Sequence, residues 1–195
     1  MTNIRIASTQ DAAAILAIYS PYIQNTSICF ETDLPTLGAF QNRIHHYLEK
    51  YPWLLIEIDG QIAGYAYGSS YRERIAYQWS AECSVYIHDH FKRKGIAQAL
   101  YTALFKILKA QGIMNVYAVI NLPNDQSVAL HEKMGFTHFA DYKNVGYKLG
   151  KWKTVGWWQL QLNEYTDNPT APVNFGNMNK EFLQPIFNDS LQLLK

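Results

Sequence analysis

Between Val85 and Leu100 the chain changes its hydrophobic period, and that change fixes a piece of architecture. Val85-Tyr86-Ile87 has the pattern of a short apolar strand, whereas residues 88–94 are polar and basic. Gly95 and Ala97 then lead into a run with Ile96, Ala99, Leu100, Ala103, Leu104, Ile107 and Leu108 at helical spacing. A strand that passes through such a loop into a helix leaves backbone N–H groups free at the helix N-terminus. Those groups, with the helix dipole, favour an anion beside the loop. A diphosphate suits the cradle, so the segment reads as a site for a phosphorylated cofactor. The G-x-G-x-x-G spacing is absent, which disfavours a dinucleotide fold.

The flanking segments set the fold class. Ile4-Arg5-Ile6 alternates like a first strand, and Ser8 to Asp11 resembles a capping box opening a helix with Ala14, Ile15, Ile18, Tyr19 and Tyr22 on one face. Pro21 inside that pattern predicts a kink or an early end. Pro35 suits the first turn of a second helix carrying Leu37, Phe40, Ile44, Tyr47 and Leu48. Residues 53–58 and 61–67 flank Asp59-Gly60, a strong hairpin signal. Residues 77–87 read as extended, 96–110 as a helix closed by Gly112, and 116–120 as a buried strand. A helix from Asn124-Asp125 to Met134 ends at Gly135, and strands follow at 136–139, 145–149 and 157–162. Helices thus alternate with strands after an antiparallel hairpin, the pattern of an α/β (α+β) domain with a mixed sheet covered by helices. From Asn163 the composition turns to Asn, Thr, Pro and Asp, so 163–195 reads as a polar linker and tail with a short docking helix near 181–194.

Composition removes several function classes. The net charge of +1 gives no basic field for nucleic acid or an anionic membrane. No apolar run approaches the roughly 20 residues that span a bilayer. Cys29 and Cys83 are too few for a disulfide scaffold and suit a reducing, cytoplasmic setting. Aromatic residues make up 14% of the chain, which points either to aromatic-lined surfaces or to an aromatic core.

Lys92-Arg93-Lys94-Gly95-Ile96-Ala97 resembles the acyl-CoA diphosphate loop of the GNAT N-acetyltransferase superfamily, with Lys92 where the family has Gln or Arg. Further segments sharpen the resemblance: residues 26–32, 51–54, 59–60, 64–67, 76–82, 122–132 and 146–152. In that order they resemble the phosphinothricin N-acetyltransferases, a branch that includes acetyltransferases of methionine sulfone and methionine sulfoximine. The resemblance covers about residues 1–162, the expected catalytic domain. It implies a mostly antiparallel sheet with a splayed parallel pair, acetyl-CoA as co-substrate, no metal, a small-molecule amine acceptor and a homodimer.

An ammonium cannot attack a thioester, so acetyl transfer to an amine needs a base. Glu82 sits in an apolar strand, where partial burial raises a carboxylate's proton affinity; the plainer reading is a strand-edge carboxylate exposed to solvent or paired with an arginine. The resemblance implies Glu82 as base. It puts a functional residue at His131, whose role stays open between acid, partner base and hydrogen-bonded support. It assigns Val85, Tyr86 and Ile87 to the pantetheine arm through backbone groups. It gives Arg93, Lys94, Gly95, Ile96, Ala97 and Gln98 to the diphosphate, and Asn124 to CoA, with a plain helix cap as the alternative. Arg72 and Arg74 suit an acceptor bearing a carboxylate and a phosphinate, because arginine binds both through paired hydrogen bonds. Phe30, Tyr77 and Tyr86 are expected as pocket walls. His88-Asp89-His90 with Cys83 has no second ligand cluster, so a metal site is disfavoured, as is a Cys83 acyl-enzyme. Cationic acceptors such as polyamines, an aminoglycoside or a protein N-terminus, and a non-catalytic acyl-CoA sensor, are the competing readings.

Overall fold

Seven strands form one sheet in the order β1-β2-β3-β4-β5-β7-β6 in the computed structural model, which describes residues 1–195. The strands are β1 (Thr2–Ile6), β2 (Trp53–Ile58), β3 (Gln61–Ser70), β4 (Ser80–Ile87), β5 (Asn115–Leu122), β6 (Thr137–Lys148) and β7 (Lys151–Gln161). Five helices cover it: α1 (Ala12–Asn25), α2 (Leu37–Lys50), α3 (Ile96–Gln111), α4 (Asp125–Lys133) and α5 (Leu183–Leu191). Every neighbouring pair is antiparallel except β4 with β5. That parallel pair is the crossover made by α3, which needs a helix-length connection.

The pair is short. β4 and β5 are in register only at Ser80↔Asn115, Ala81↔Val116 and Glu82↔Tyr117. Beyond Glu82, β4 stays with β3 through Gly64↔Ile87, while β5 stays with β7 through Leu122↔Thr154. A gap therefore opens between the C-terminal halves of β4 and β5, and the α3 loop follows directly from β4.

The two faces of the sheet have different fillings. On one, α3 lays a fully buried stripe of Ala99, Leu100, Ala103, Leu104, Ile107 and Leu108 against Ala81, Ala66, Val116 and Ala118. Gly112 ends α3 with φ 89°, and the Gly112 and Ile113 N–H groups donate to the Leu108 carbonyl. On the other face α1 and α2 cover an aromatic stack: Trp53 lies 4.3 Å from Tyr67 and 5.8 Å from Tyr65, and Tyr65 lies 5.3 Å from Tyr86. The aromatic richness is thus partly core. The rest is surface, since Phe139, Tyr142, Tyr147 and Trp152 are exposed on the β6–β7 hairpin.

Several local expectations need correction. α1 runs through Pro21 to Asn25 instead of ending early, because Ile18, Tyr19 and Ile23 on both sides of it are buried in one cluster. Pro35 precedes the helix cap and is not in the first turn; Thr36 is the cap, accepting from the Ala39 N–H at 3.2 Å. Residues 75–77 form a 3-10 turn, so β4 begins only at Ser80. The two short strands expected at 136–139 and 145–149 are one strand, β6, irregular at 138–140 and 142–146, and β7 starts six residues earlier than Trp157, at Lys151. β6 is exposed along nearly its whole length, which hid it from a pattern that looks for buried residues.

Residues 163–195 pack onto the body of the protein. The Val173 N–H donates to the Gln111 carbonyl at 2.8 Å, and the Gln111 side-chain amide donates back to the Val173 carbonyl at 2.7 Å. Phe175, Leu183 and Phe187 are buried in the α3-side core. Each such side chain contributes about 1.5–3 kcal/mol.

Candidate active site

On β4 the pleat sends Ala81 and Cys83 toward α3 and Glu82 to the opposite face. Glu82 therefore sits at the last register pair before the strands part, facing away from α3. Its side chain is 29% exposed. Burial pushes its carboxyl up to about 6, against the opposing pull of Arg72. Arg72 Nη1 lies 3.6 Å from Glu82 Oε1 and also donates to the Tyr71 carbonyl at 2.8 Å. The Arg72 guanidinium lies 4.4 Å from the Tyr71 ring and 5.6 Å from Trp157. So Glu82 is a partly buried carboxylate of raised proton affinity that also pairs with an arginine.

A cavity of about 960 Å³ contains Glu82, Arg72 and Arg74. Its other walls include Tyr47, Ser69 and Gln78, and also Pro172, Val173 and Asn174 from the tail. Arg74 is exposed, at the start of the 75–77 turn. Phe30 and Tyr77 are exposed too, but neither lines this cavity. Phe30 instead lies against Gly146, where a side chain would collide with its ring, and Tyr77 packs edge-on against Tyr71 at 5.7 Å. The loop carrying Phe30 is held by Lys148, whose Nζ donates to the Cys29 carbonyl at 2.6 Å.

The α3 loop has the character of an anion cradle. Arg93 and Gly95 both have positive φ, 63° and 82°. From Arg93 through Gln98 no backbone N–H donates a hydrogen bond within the protein. Helix starts leave such groups free, and here the loop extends the set. The lysine side chains are otherwise engaged: Lys92 Nζ pairs with Asp89 at 2.5 Å, and Lys94 Nζ lies 5.0 Å from the Phe91 ring. The Gln98 side chain accepts from Lys133 at 3.0 Å. Val85, Tyr86 and Ile87 lie on the free edge of β4 along the gap. Asn124 caps α4, its Oδ1 accepting from the Ser127 N–H at 3.2 Å.

His131 is on the α3 side, 4% exposed among Tyr101, Phe105 and Phe136. Its Nδ1 lies 2.7 Å from the Ser127 carbonyl, which only accepts, so Nδ1 carries the proton. Nε2 then accepts from the Tyr101 hydroxyl at 3.2 Å. Burial lowers its pKa, so the ring is held neutral. Cys83, beside Tyr101, has its thiol pushed up to about 12 by burial, which disarms it as a nucleophile. No group of three His, Cys, Asp or Glu side chains is placed to hold a metal ion.

Comparison with known proteins agrees with this architecture. Residues 4–157 match the acetyltransferase (GNAT) domain family. The chain belongs to the GNAT acetyltransferases. It is 40% identical to the phosphinothricin N-acetyltransferase of Streptomyces viridochromogenes over 88% of this chain and 94% of that protein. It is 32% identical to the L-methionine sulfoximine/L-methionine sulfone acetyltransferase of Salmonella typhimurium, over 84% of this chain and 96% of that one. The solved phosphinothricin acetyltransferase of Sinorhizobium meliloti, a complex with AcCoA, superposes with a TM-score of 0.84 at 30% identity, covering 91% of this chain and 97% of that one. In this GNAT acetyltransferase the sequence reading had missed Tyr71, Tyr117 and Trp157, which group behind Arg72, and Tyr101, which holds His131. An aromatic on the outward position of a buried strand was the one available signal, at Tyr117. It had also missed residues 172–174, whose composition looked like linker.

Proposed function

We propose that this protein transfers the acetyl group of acetyl-CoA to the free amine of a small acidic amino-acid analogue such as phosphinothricin or methionine sulfoximine. The observation that carries the reading is the pairing of a raised-affinity carboxylate, Glu82, with two arginines, Arg72 and Arg74, around one cavity next to the strand gap. A cationic acceptor would be repelled by that pair of guanidiniums, whereas a carboxylate or phosphinate is held by them. The relatives' activities point the same way.

In this reading the free N–H groups of residues 93–98 hold the diphosphate. The edge of β4 at Val85, Tyr86 and Ile87 takes the pantetheine arm, and a backbone N–H there polarises the thioester carbonyl. Arg74, with Arg72, fixes the acidic group of the acceptor. Glu82 removes the amine proton, directly or through water, and the amine attacks the thioester carbon in a ternary complex. The carbon–sulfur bond of the tetrahedral intermediate breaks, and the proton still held by its nitrogen passes through water to the departing CoA thiolate. His131 supports this site from behind, because both its nitrogens are engaged and its side chain is sealed from solvent. Most of the acceleration is positioning.

The exposed apolar side chains of the β6–β7 hairpin, Phe139, Tyr142, Val145, Tyr147 and Trp152, support a homodimer built on this edge of the sheet. Buried free thiols at Cys29 and Cys83 support a cytoplasmic setting, where the activity would detoxify phosphinothricin. No helix is long and apolar enough to cross a membrane. A CoA-release assay with phosphinothricin, methionine sulfoximine and methionine sulfone against spermidine and an aminoglycoside tests the acceptor class. Turnover confined to the acidic amino-acid analogues is expected; preference for the polyamine would refute it.

A further inference from the structure

The far end of the tail lies on the donor loop. α5 packs across α3 and against β1, with Leu183 and Phe187 buried. Leu191, Leu193 and Leu194 continue onto the same core. The chain then reaches the loop that precedes α3. The Lys195 N–H donates to the Lys94 carbonyl at 3.1 Å. The Leu193 carbonyl occupies the space that a side chain at Gly95 would fill, and Leu194 Cα is 3.2 Å from that position.

This contact has a directional consequence. A trans peptide is planar, so its C=O and N–H point in opposite directions. The Lys94 carbonyl faces the tail, so the Gly95 N–H of the same peptide faces away from it. That N–H has no partner in the protein and is one of the free donors of the cradle. The tail also leaves room at position 95 only for glycine, whose positive φ of 82° shapes the turn.

We propose that residues 193–195 are positioning residues for the donor: they hold the Lys94–Gly95 peptide so that its N–H is aimed at the diphosphate before the donor arrives. The tail thereby acts as part of the donor site, although it touches the loop from behind. Preorganisation of this kind improves affinity by lowering the ordering cost of binding. The proposal rests on the assignment of residues 93–98 as the diphosphate cradle.

Two shortened chains test it, one ending at Leu194, which removes the single N–H donor, and one ending at Gln192, which removes the whole contact. CoA release gives KM for acetyl-CoA, KM for the acceptor and kcat, and calorimetry gives acetyl-CoA affinity directly. The KM for acetyl-CoA should rise about threefold to fivefold in the first and about tenfold in the second, the scale of one to two hydrogen bonds. Acceptor KM and kcat should stay within about twofold in both. An unchanged acetyl-CoA KM overturns the proposal, as does a fall, which would make the tail an obstruction. Equal losses in all three parameters would mean general loosening and also overturn it. If the shorter chain does not fold, the single-residue deletion decides. Failure of the underlying assignment has its own signature: Gly95→Ala in the full chain would leave acetyl-CoA affinity unchanged.

Discussion

The proposed donor side and the proposed acceptor side of this protein are built in opposite ways. The stretch assigned to the donor is contiguous backbone, residues 93–98, beside which the Lys92 and Lys94 side chains are occupied elsewhere. The acceptor cavity is made of side chains delivered by α2, the end of β3, the 71–78 loop, β4 and the tail. In the proposed reading, recognition of the diphosphate then depends on chain conformation, and recognition of the acceptor on particular functional groups. Side-chain substitutions should separate the two.

The largest contrast is expected from Arg72→Ala combined with Arg74→Ala. Loss of two charge-assisted contacts should lower kcat/KM for the acceptor by roughly 10²–10³-fold and leave acetyl-CoA KM nearly unchanged. A comparable rise in acetyl-CoA KM would erase the distinction between the two sides. His131→Ala should act on stability. It opens a cavity among Tyr101, Phe105 and Phe136 and strips the Tyr101 hydroxyl and the Ser127 carbonyl of a partner, at a cost of about 2–4 kcal/mol in urea unfolding at pH 8. Because burial lowers the His131 pKa, the unfolded chain binds the proton more readily. Its contribution is whole above about pH 6.5 and is lost as the pH falls through the lowered folded value. The alanine variant should lose that part of the acid dependence.

Smaller effects sharpen the backbone side of the comparison. Lys92→Ala and Lys94→Ala should each raise acetyl-CoA KM by less than about fivefold, the scale of exposed charge interactions. A rise of a hundredfold would move donor recognition from backbone to side chain. The smallest expected effect belongs to Arg72→Gln measured as a pH profile. Arg72 favours the charged form of Glu82, so its removal should move the acid limb of kcat/KM to higher pH. An unchanged acid limb would mean that the two side chains do not interact in solution.

The same contrast explains what could be read from the chain. The strand–loop–helix turn at residues 85–100 was legible because everything it needs is local: the end of a strand, Gly95, and the helical spacing of Ile96 to Leu108. Glu82 was legible as a lone charge in an apolar strand. The cavity wall was not, since nothing around Val173 announces that Gln111 will hold it across 62 residues. Nor was the contact of Tyr101 with His131, where both fit a generic buried helix face. β6 was read as two pieces because its long exposed face lacks the alternation that burial imposes.

The central claim is that Glu82 is the base at the junction of the two sides. The direct measurement is kcat/KM for phosphinothricin from pH 5 to 8 in the native protein and in Glu82→Gln, with acetyl-CoA affinity measured in parallel. The native profile should fall below about pH 6, where the carboxylate takes up its proton. The variant should lose roughly 10²–10⁴-fold in turnover together with that limb, at unchanged acetyl-CoA affinity. Turnover in Glu82→Gln equal to native, with the acid limb intact, would contradict the account.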